Sequence, residues 1–166
     1  MDEMRKEKVM IKYCVNKWDK NKGLLEEAIK ERTDMAHVDY VDLLKMVVRY
    51  ILNDGKETYD SKWNPDAIHT IDDGDYQGTL LFLIPSTDYQ PGASDYLMTC
   101  VYYGSCCGCD TLQAIQSYMP YTDESKVGEQ QLKDFMTLCK DLVTSMIRPY
   151  KSWDAGDEYD EVVFEK

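Results

Sequence analysis

Two kinds of hydrophobic periodicity occupy separate parts of this chain, and their order limits the folds that are open to it. Apolar residues recur at helical spacing in the first and last thirds, whereas the middle third contains short runs typical of strands. Because these strand runs follow one another without intervening helices, they predict an antiparallel sheet and argue against a doubly wound parallel one. We therefore expect an α+β fold in which an antiparallel sheet of three strands, or slightly more, is packed by N-terminal and C-terminal helices.

The helices are predicted from apolar spacing together with start and stop signals. The clearest stripe lies between Val41 and Ile51, with Asp39 as its N-cap and Gly55 closing its C-terminal end. The polar stretch 21–23, which includes a glycine, predicts a break between the first two helices. The predicted helices cover residues 4–18, 24–29, 39–53, 110–118 and 129–148.

Three strands are predicted at residues 67–71, 77–84 and 96–103. The acidic stretch 72–75 is expected to form the turn between the first two, with Gly74 supplying a positive φ. Residues 80–84 are apolar at consecutive positions, which predicts that the second strand is buried on both faces.

Size and charge restrict the class of protein. The 166 residues predict a single domain over 1–166, with an acidic tail at 151–166 that either adds an edge strand or stays flexible. The balance of 31 acidic and 19 basic residues gives a net charge of −12, which argues against direct binding to nucleic acid or to an anionic membrane. A basic protein is the natural complement of such a chain.

Neither a secretion signal nor a membrane span is expected. No apolar run approaches the roughly 20 residues needed to cross a bilayer, and the charged N-terminus leads into no long apolar region. We therefore predict a cytoplasmic protein whose six cysteines are reduced thiols.

The strongest chemical signal is a cysteine cluster between the third predicted strand and the following helix. Cys106 and Cys109 form a Cys-x-x-Cys pair, which at a helix N-terminus would have a lowered thiol pKa suited to redox chemistry. With Cys100 and Cys107 as additional ligands, the same cluster is a candidate zinc site, although the second Cys-x-x-Cys pair typical of structural zinc is missing. The interpretation we favour is that these four cysteines are small, semi-apolar residues packed into a tight corner, with no catalytic or metal-binding role.

Tyrosines next to acidic residues are the second unusual feature. The chain has 13 tyrosines, and several have aspartate or glutamate neighbours in the sequence. Tyrosine combines a large contact area with a hydrogen-bonding tip, as protein interfaces require. The candidate binding residues are Asp73, Asp75, Tyr76, Tyr89, Tyr96 and Tyr159.

Two segments carry a resemblance to known sequences. Residues 75–79 (Asp-Tyr-Gln-Gly-Thr) and 102–113 (Tyr-Tyr-Gly-Ser-Cys-Cys-Gly-Cys-Asp-Thr-Leu-Gln) together resemble small uncharacterised proteins encoded by bacteriophages. That group has no assigned activity or catalytic residues, so the resemblance implies only a setting, an accessory protein in a bacterial cytoplasm.

The sequence thus leads to one main hypothesis and its alternatives. The main hypothesis is a non-enzymatic, acidic, protein-binding accessory factor, without a cofactor, that engages or inhibits a basic, nucleic-acid-binding host or phage protein. The alternative is a thiol redox or zinc-binding module centred on Cys106 and Cys109. A self-assembling structural component of a virion is a third hypothesis.

Overall fold

A computed structural model describes residues 3–120 and 125–148, with side chains from residue 9 onward. The described chain contains four α-helices and one three-stranded antiparallel sheet, so the predicted α+β fold is confirmed. The helices are α1 (Glu3–Glu31), α2 (Tyr40–Val47), α3 (Thr111–Gln116) and α4 (Glu129–Thr144). The strands are β1 (His69–Asp72), β2 (Gly78–Pro85) and β3 (Tyr96–Tyr103).

The first helix is a single element of 29 residues, so the predicted break at residues 21–23 is wrong. The Asn21 side chain is buried and donates hydrogen bonds to the Ile51 carbonyl (2.8 Å) and to the Asp54 carboxylate (2.6 Å). It therefore holds a distant segment and does not terminate its own helix. Glycine in a helix interior costs about 1 kcal/mol, which the burial of Leu25 and Ile29 beyond it outweighs.

The second helical segment begins at its predicted N-cap and continues to its predicted stop signal. Asp39 and Asp42 form a reciprocal capping box at its start. Helical structure continues beyond α2 as one π-helical turn, Val48–Leu52, before Asp54 and Gly55 adopt positive φ values of 56° and 73°. The predicted helix over 39–53 is confirmed, with the π-turn as a detail that its apolar spacing did not indicate.

In the sheet, β2 lies at the centre and pairs antiparallel with β1 and with β3. The β1–β2 turn is confirmed, but Gly74 does not have the predicted positive φ. It is needed for space, because a Cβ on Gly74 would collide with the Gln77 carbonyl. We call residues 73–77 the hairpin loop.

The helices cover one face of this sheet. Phe82 and Ile84 of β2 and Leu97 of β3 are fully or almost fully buried in the core that all four helices share. The Thr99 hydroxyl of β3 donates to the Leu142 carbonyl of α4 (2.9 Å) on this side. The alternate residues Leu81 and Leu83 are only half-buried, so the prediction that β2 is buried on both faces is wrong.

The fourth helix ends four residues earlier than predicted, at Thr144. The chain then returns to the sheet, where Ile147 exchanges backbone hydrogen bonds with Met98 of β3 (2.8 and 2.9 Å). This isolated bridge contacts β3 at one residue, so β1 and β3 remain the two edge strands of the described sheet. The predicted acidic tail, 151–166, lies outside the described residues.

Candidate functional site

The sheet face opposite the helices is the first candidate surface. Alternation along the strands and the pairing register place ten side chains together on this outer face. They are His69, Ile71, Thr79, Leu81, Leu83, Pro85, Tyr96, Met98, Cys100 and Tyr102. Pro85, at the end of β2, is buried, and the other nine are half-buried or exposed.

Apolar side chains dominate the outer face. Ile71 is 51% exposed and Tyr102 is 55% exposed, and Leu81, Leu83 and Met98 lie between them on paired strands. None of these five belongs to the buried core or to the partly buried residues packed against it. A contiguous apolar surface of this kind, left open by the described chain, is a feature of interaction sites.

Acidic residues and tyrosine lie at one end of the outer face, in the hairpin loop. Asp73 accepts a hydrogen bond from the Thr79 backbone (2.6 Å), and Tyr76 is 83% exposed. Beside the loop, the Tyr103 hydroxyl donates to Asp72 (2.6 Å), and this bond raises the pKa of Tyr103 to about 12. The hairpin loop is therefore held in place while its carboxylates and the Tyr76 ring face solvent.

The connection between β2 and β3 provides a similar arrangement at the other end. Asp88 accepts a hydrogen bond from Ser86 (2.7 Å), and the next residue, Tyr89, is 96% exposed. Tyr96, at the start of β3, lies beside the His69 ring with their centroids 6.2 Å apart.

Five of the six sequence-predicted binding residues thus lie around one sheet. Asp73, Asp75 and Tyr76 are in the hairpin loop, whereas Tyr89 and Tyr96 are at the opposite end. Tyr159 lies outside the described residues. The sequence analysis missed the apolar centre between the two ends. A signal for it is present in β3, where hydrophobic residues occur at both sets of alternating positions.

The cysteine turn, residues 105–109, follows directly from the end of β3. The Cys109 amide donates to the Cys106 carbonyl (3.0 Å), which closes a four-residue turn. The two sulfur atoms are 2.9 Å apart, and the Cys106 amide donates to the Cys109 sulfur (3.2 Å). Both thiols are exposed to solvent.

The contact between the two sulfur atoms shifts the pKa values of the two thiols in opposite directions. The hydrogen bond from Cys106 lowers the pKa of Cys109, and hydrogen bonds from the Cys106 amide and from Ser105 act in the same direction. The same contact raises the pKa of Cys106. Cys109 is therefore the thiol of the pair that ionises first, and thiolate is the nucleophilic form of cysteine.

Two predictions about the cysteine cluster are wrong. Cys100, Cys106, Cys107 and Cys109 are all exposed, so they do not fill a packed corner. The corner is tight only at Gly104, where a Cβ would collide with Cys109. Nor does the pair occupy a helix N-terminus, because Asp110 caps α3 and both cysteines precede it.

The described residues do not provide a ligand set for the zinc alternative. Cys100 points from the outer face and Cys107 is exposed in the turn. Within residues 3–120 and 125–148, no group of three or more His, Cys, Asp or Glu side chains is arranged to hold a metal ion.

A groove of about 480 Å³ lies on the helical side of the molecule. Its charged lining residues are three acids and three bases: Glu31, Asp42, Asp66, Arg32, Lys45 and Arg49. Because the two signs balance, the groove offers no excess charge to a ligand of either sign.

No protein-family model, curated protein or solved structure matches this chain. None of the described helices has the length and apolar character needed to cross a membrane.

Proposed function

We propose that this protein is a non-enzymatic binding factor whose outer face docks a basic protein. One observation carries the proposal, the open apolar surface of the outer face between two acidic, tyrosine-bearing ends. Interfaces combine an apolar, aromatic centre with a polar rim, and the outer face has this arrangement. In keeping with the resemblance to phage-encoded proteins, we propose that the partner is a host or phage protein in a bacterial cytoplasm.

Charge selects the kind of partner. The chain carries −12 overall, and Asp73 and Asp75 lie in the hairpin loop at one end of the outer face. Two copies docked through this face would add to the repulsion between like charges, whereas lysine and arginine on a partner would complement it. We therefore favour a basic protein with an apolar contact surface over a second copy of this chain.

The acidic rim and the apolar centre of the outer face should contribute differently to the rate and the affinity of binding. Exposed carboxylates mainly accelerate association and lose their influence as salt is added. Buried aromatic and aliphatic anchors account for most of the affinity in protein interfaces. Tyr102, with Ile71 on the opposite edge strand, is the expected anchor of this surface.

We predict that replacing Tyr102 with alanine weakens partner binding about tenfold or more, because an interface anchor contributes more than about 1.4 kcal/mol. Tyr118→Ala is the matched control, since Tyr118 is 80% exposed and follows α3 in the chain, so it belongs to none of the strands. Bacterial lysate is passed over immobilised wild-type protein at low and at high salt, and the captured protein is identified and purified. Its affinity for each variant is then measured by calorimetry.

Ile71→Ser and Ile11→Ser form a second matched pair, because both isoleucines are about half exposed and only Ile71 is on the outer face. The proposal requires a basic partner whose affinity falls in Tyr102→Ala and Ile71→Ser and is unchanged in both controls. Capture of nothing at either salt, or equal binding by all four variants, would contradict it. A stable oligomer in light scattering that Tyr102→Ala dissociates would instead assign the outer face to self-assembly.

A further inference from the structure

Cys106 and Cys109 offer a chemistry that docking on the outer face does not use. The two thiols are exposed, are 2.9 Å apart and are fixed by a hydrogen-bonded turn. Binding to a partner through apolar and acidic side chains requires none of these properties.

The turn brings the two cysteines close enough to form a disulfide. A turn closed by a hydrogen bond from residue i+3 to residue i brings its terminal Cα atoms within about 7 Å. Disulfides form between cysteines whose Cα atoms are separated by about 4.4–6.8 Å. Cys106 and Cys109 occupy these two turn positions, and their sulfur atoms face each other.

The surrounding chain holds this arrangement on both sides. The Gly104 amide donates to Asp110 (3.0 Å), and the Gln113 side chain donates to the Gly104 carbonyl (3.0 Å). Asp110 is buried and also caps α3, so both ends of the cysteine turn are attached to a fixed point. The thiols approach each other because the backbone is held, and no large rearrangement is needed to join them.

We propose that Cys106 and Cys109 form a reversible disulfide by exchange with a small-molecule disulfide of the glutathione type. Cys109 is the attacking thiol and Cys106 is the resolving thiol. This assignment follows from the Cys106 amide, which donates a hydrogen bond to the Cys109 sulfur (3.2 Å) and so favours the thiolate of Cys109.

The exchange proceeds in two balanced steps. The Cys109 thiolate attacks one sulfur of the small disulfide, whose S–S bond breaks to release one small thiolate and leave a mixed disulfide on Cys109. Cys106 then loses its proton and attacks the Cys109 sulfur, which displaces the second small thiolate. The protein loses two electrons and two protons, and the small disulfide is reduced to two thiols.

The other four cysteines are not part of this exchange. Burial raises the pKa of Cys14 and of Cys139 to about 12, so both resist reaction in the folded protein. Cys100 is exposed on β3 and Cys107 points out of the turn, so each is expected to take up a small thiol singly without closing a protein disulfide. The double variant Cys100→Ser/Cys107→Ser therefore leaves only the proposed pair reactive.

The test equilibrates this folded double variant with oxidised and reduced glutathione. The reaction is stopped with acid, free thiols are alkylated, and the intact chain and its peptides are analysed by mass spectrometry. We expect the loss of two free thiols per chain, a mass lower by two hydrogen atoms, and a peptide containing the Cys106–Cys109 bond. Reduced glutathione in excess should restore both thiols.

Adding Cys106→Ser should trap one glutathione on Cys109, because the resolving thiol is gone. Adding Cys109→Ser in place of Cys106→Ser should leave Cys106 as the remaining thiol of the pair. It should take up glutathione more slowly than Cys109 does in the variant with Cys106→Ser. Stable glutathione adducts on both cysteines without a bond between them would overturn the proposal, as would a failure of both to react. Zinc retained by the purified wild-type protein at one ion per chain, and lost in Cys106→Ser, would also overturn it in favour of a metal site.

Discussion

Replacing Asp110 with alanine is expected to lower the free energy of unfolding by about 3 kcal/mol, since it removes a buried acceptor from several donors at once. One carboxylate oxygen accepts from the Tyr40 hydroxyl and from the Gln113 amide, and the other accepts from the Gly104 amide, each at 3.0 Å. Asp110 is only 5% exposed, so water cannot easily replace it. Urea unfolding followed by tyrosine and tryptophan fluorescence measures the change.

Two further variants sharpen this prediction. Asp110→Asn keeps one acceptor oxygen, so its free energy of unfolding should fall by less than that of Asp110→Ala. Some stability is still lost, because the new amide group turns a donor toward another donor. Asp134→Ala removes an exposed aspartate that accepts only a local bond from Gln130, and it should change stability by less than about 0.5 kcal/mol. If Asp110→Ala were as stable as Asp134→Ala, Asp110 would not join β3, α2 and α3 as the structure shows.

Phe82→Ala is expected to cost about 3–5 kcal/mol, the range found when a buried phenylalanine is truncated and its cavity cannot fully collapse. Phe82 is completely buried at the centre of β2, beneath the helices. A loss of this size approaches the whole stability of many domains. Thermal and urea unfolding of the purified variant would measure it.

The neighbouring residue provides the control. Leu83 is on the same strand but points to the outer face, where it is only half-buried. Leu83→Ala should therefore cost about 1 kcal/mol, in proportion to the smaller apolar area that it loses. Equal losses for Phe82→Ala and Leu83→Ala would mean that both faces of β2 are covered, and the proposed docking surface would then not exist.

Much of the fold could be predicted because it depends on local signals. β3 begins and ends at the predicted residues, Tyr96 and Tyr103, and α4 begins at the predicted Glu129. The capping box at Asp39 and the positive φ of Gly55 mark the ends of their helical segment as expected. In each case the determining interaction lies within a few residues of the signal.

The errors occur where distant contacts outweigh a local signal. Gly23 does not interrupt α1, because Asn21 and the apolar residues beyond it are held by other parts of the chain. α4 stops short of Pro149 because Ile147 pairs with β3. The apolar run of β2 indicates a strand but not how many of its faces are covered, which depends on where the helices pack.

Each candidate site likewise has a part that the sequence indicates and a part that only the structure reveals. The sequence singles out the Cys-x-x-Cys pair, but the small residues around it favour cysteines packed into a tight corner, whereas all four are exposed. It also identified the tyrosine–acid residues without revealing that five of them surround one sheet. The apolar centre of that surface became visible only from strand pairing.

By itself the sequence determined the class of fold, the order of helices and strands, the strong negative charge and the presence of a thiol pair, because spacing, caps and composition are properties of the chain. Only the three-dimensional structure decided which sheet face stays open, that the hairpin loop and Tyr89 lie at opposite ends of that face, and that the two sulfur atoms of Cys106 and Cys109 meet at 2.9 Å. The open face depends on how distant helices pack against the sheet. The sulfur contact depends on a turn that is local in sequence but is fixed by Asp110, which the distant Tyr40 hydroxyl also contacts.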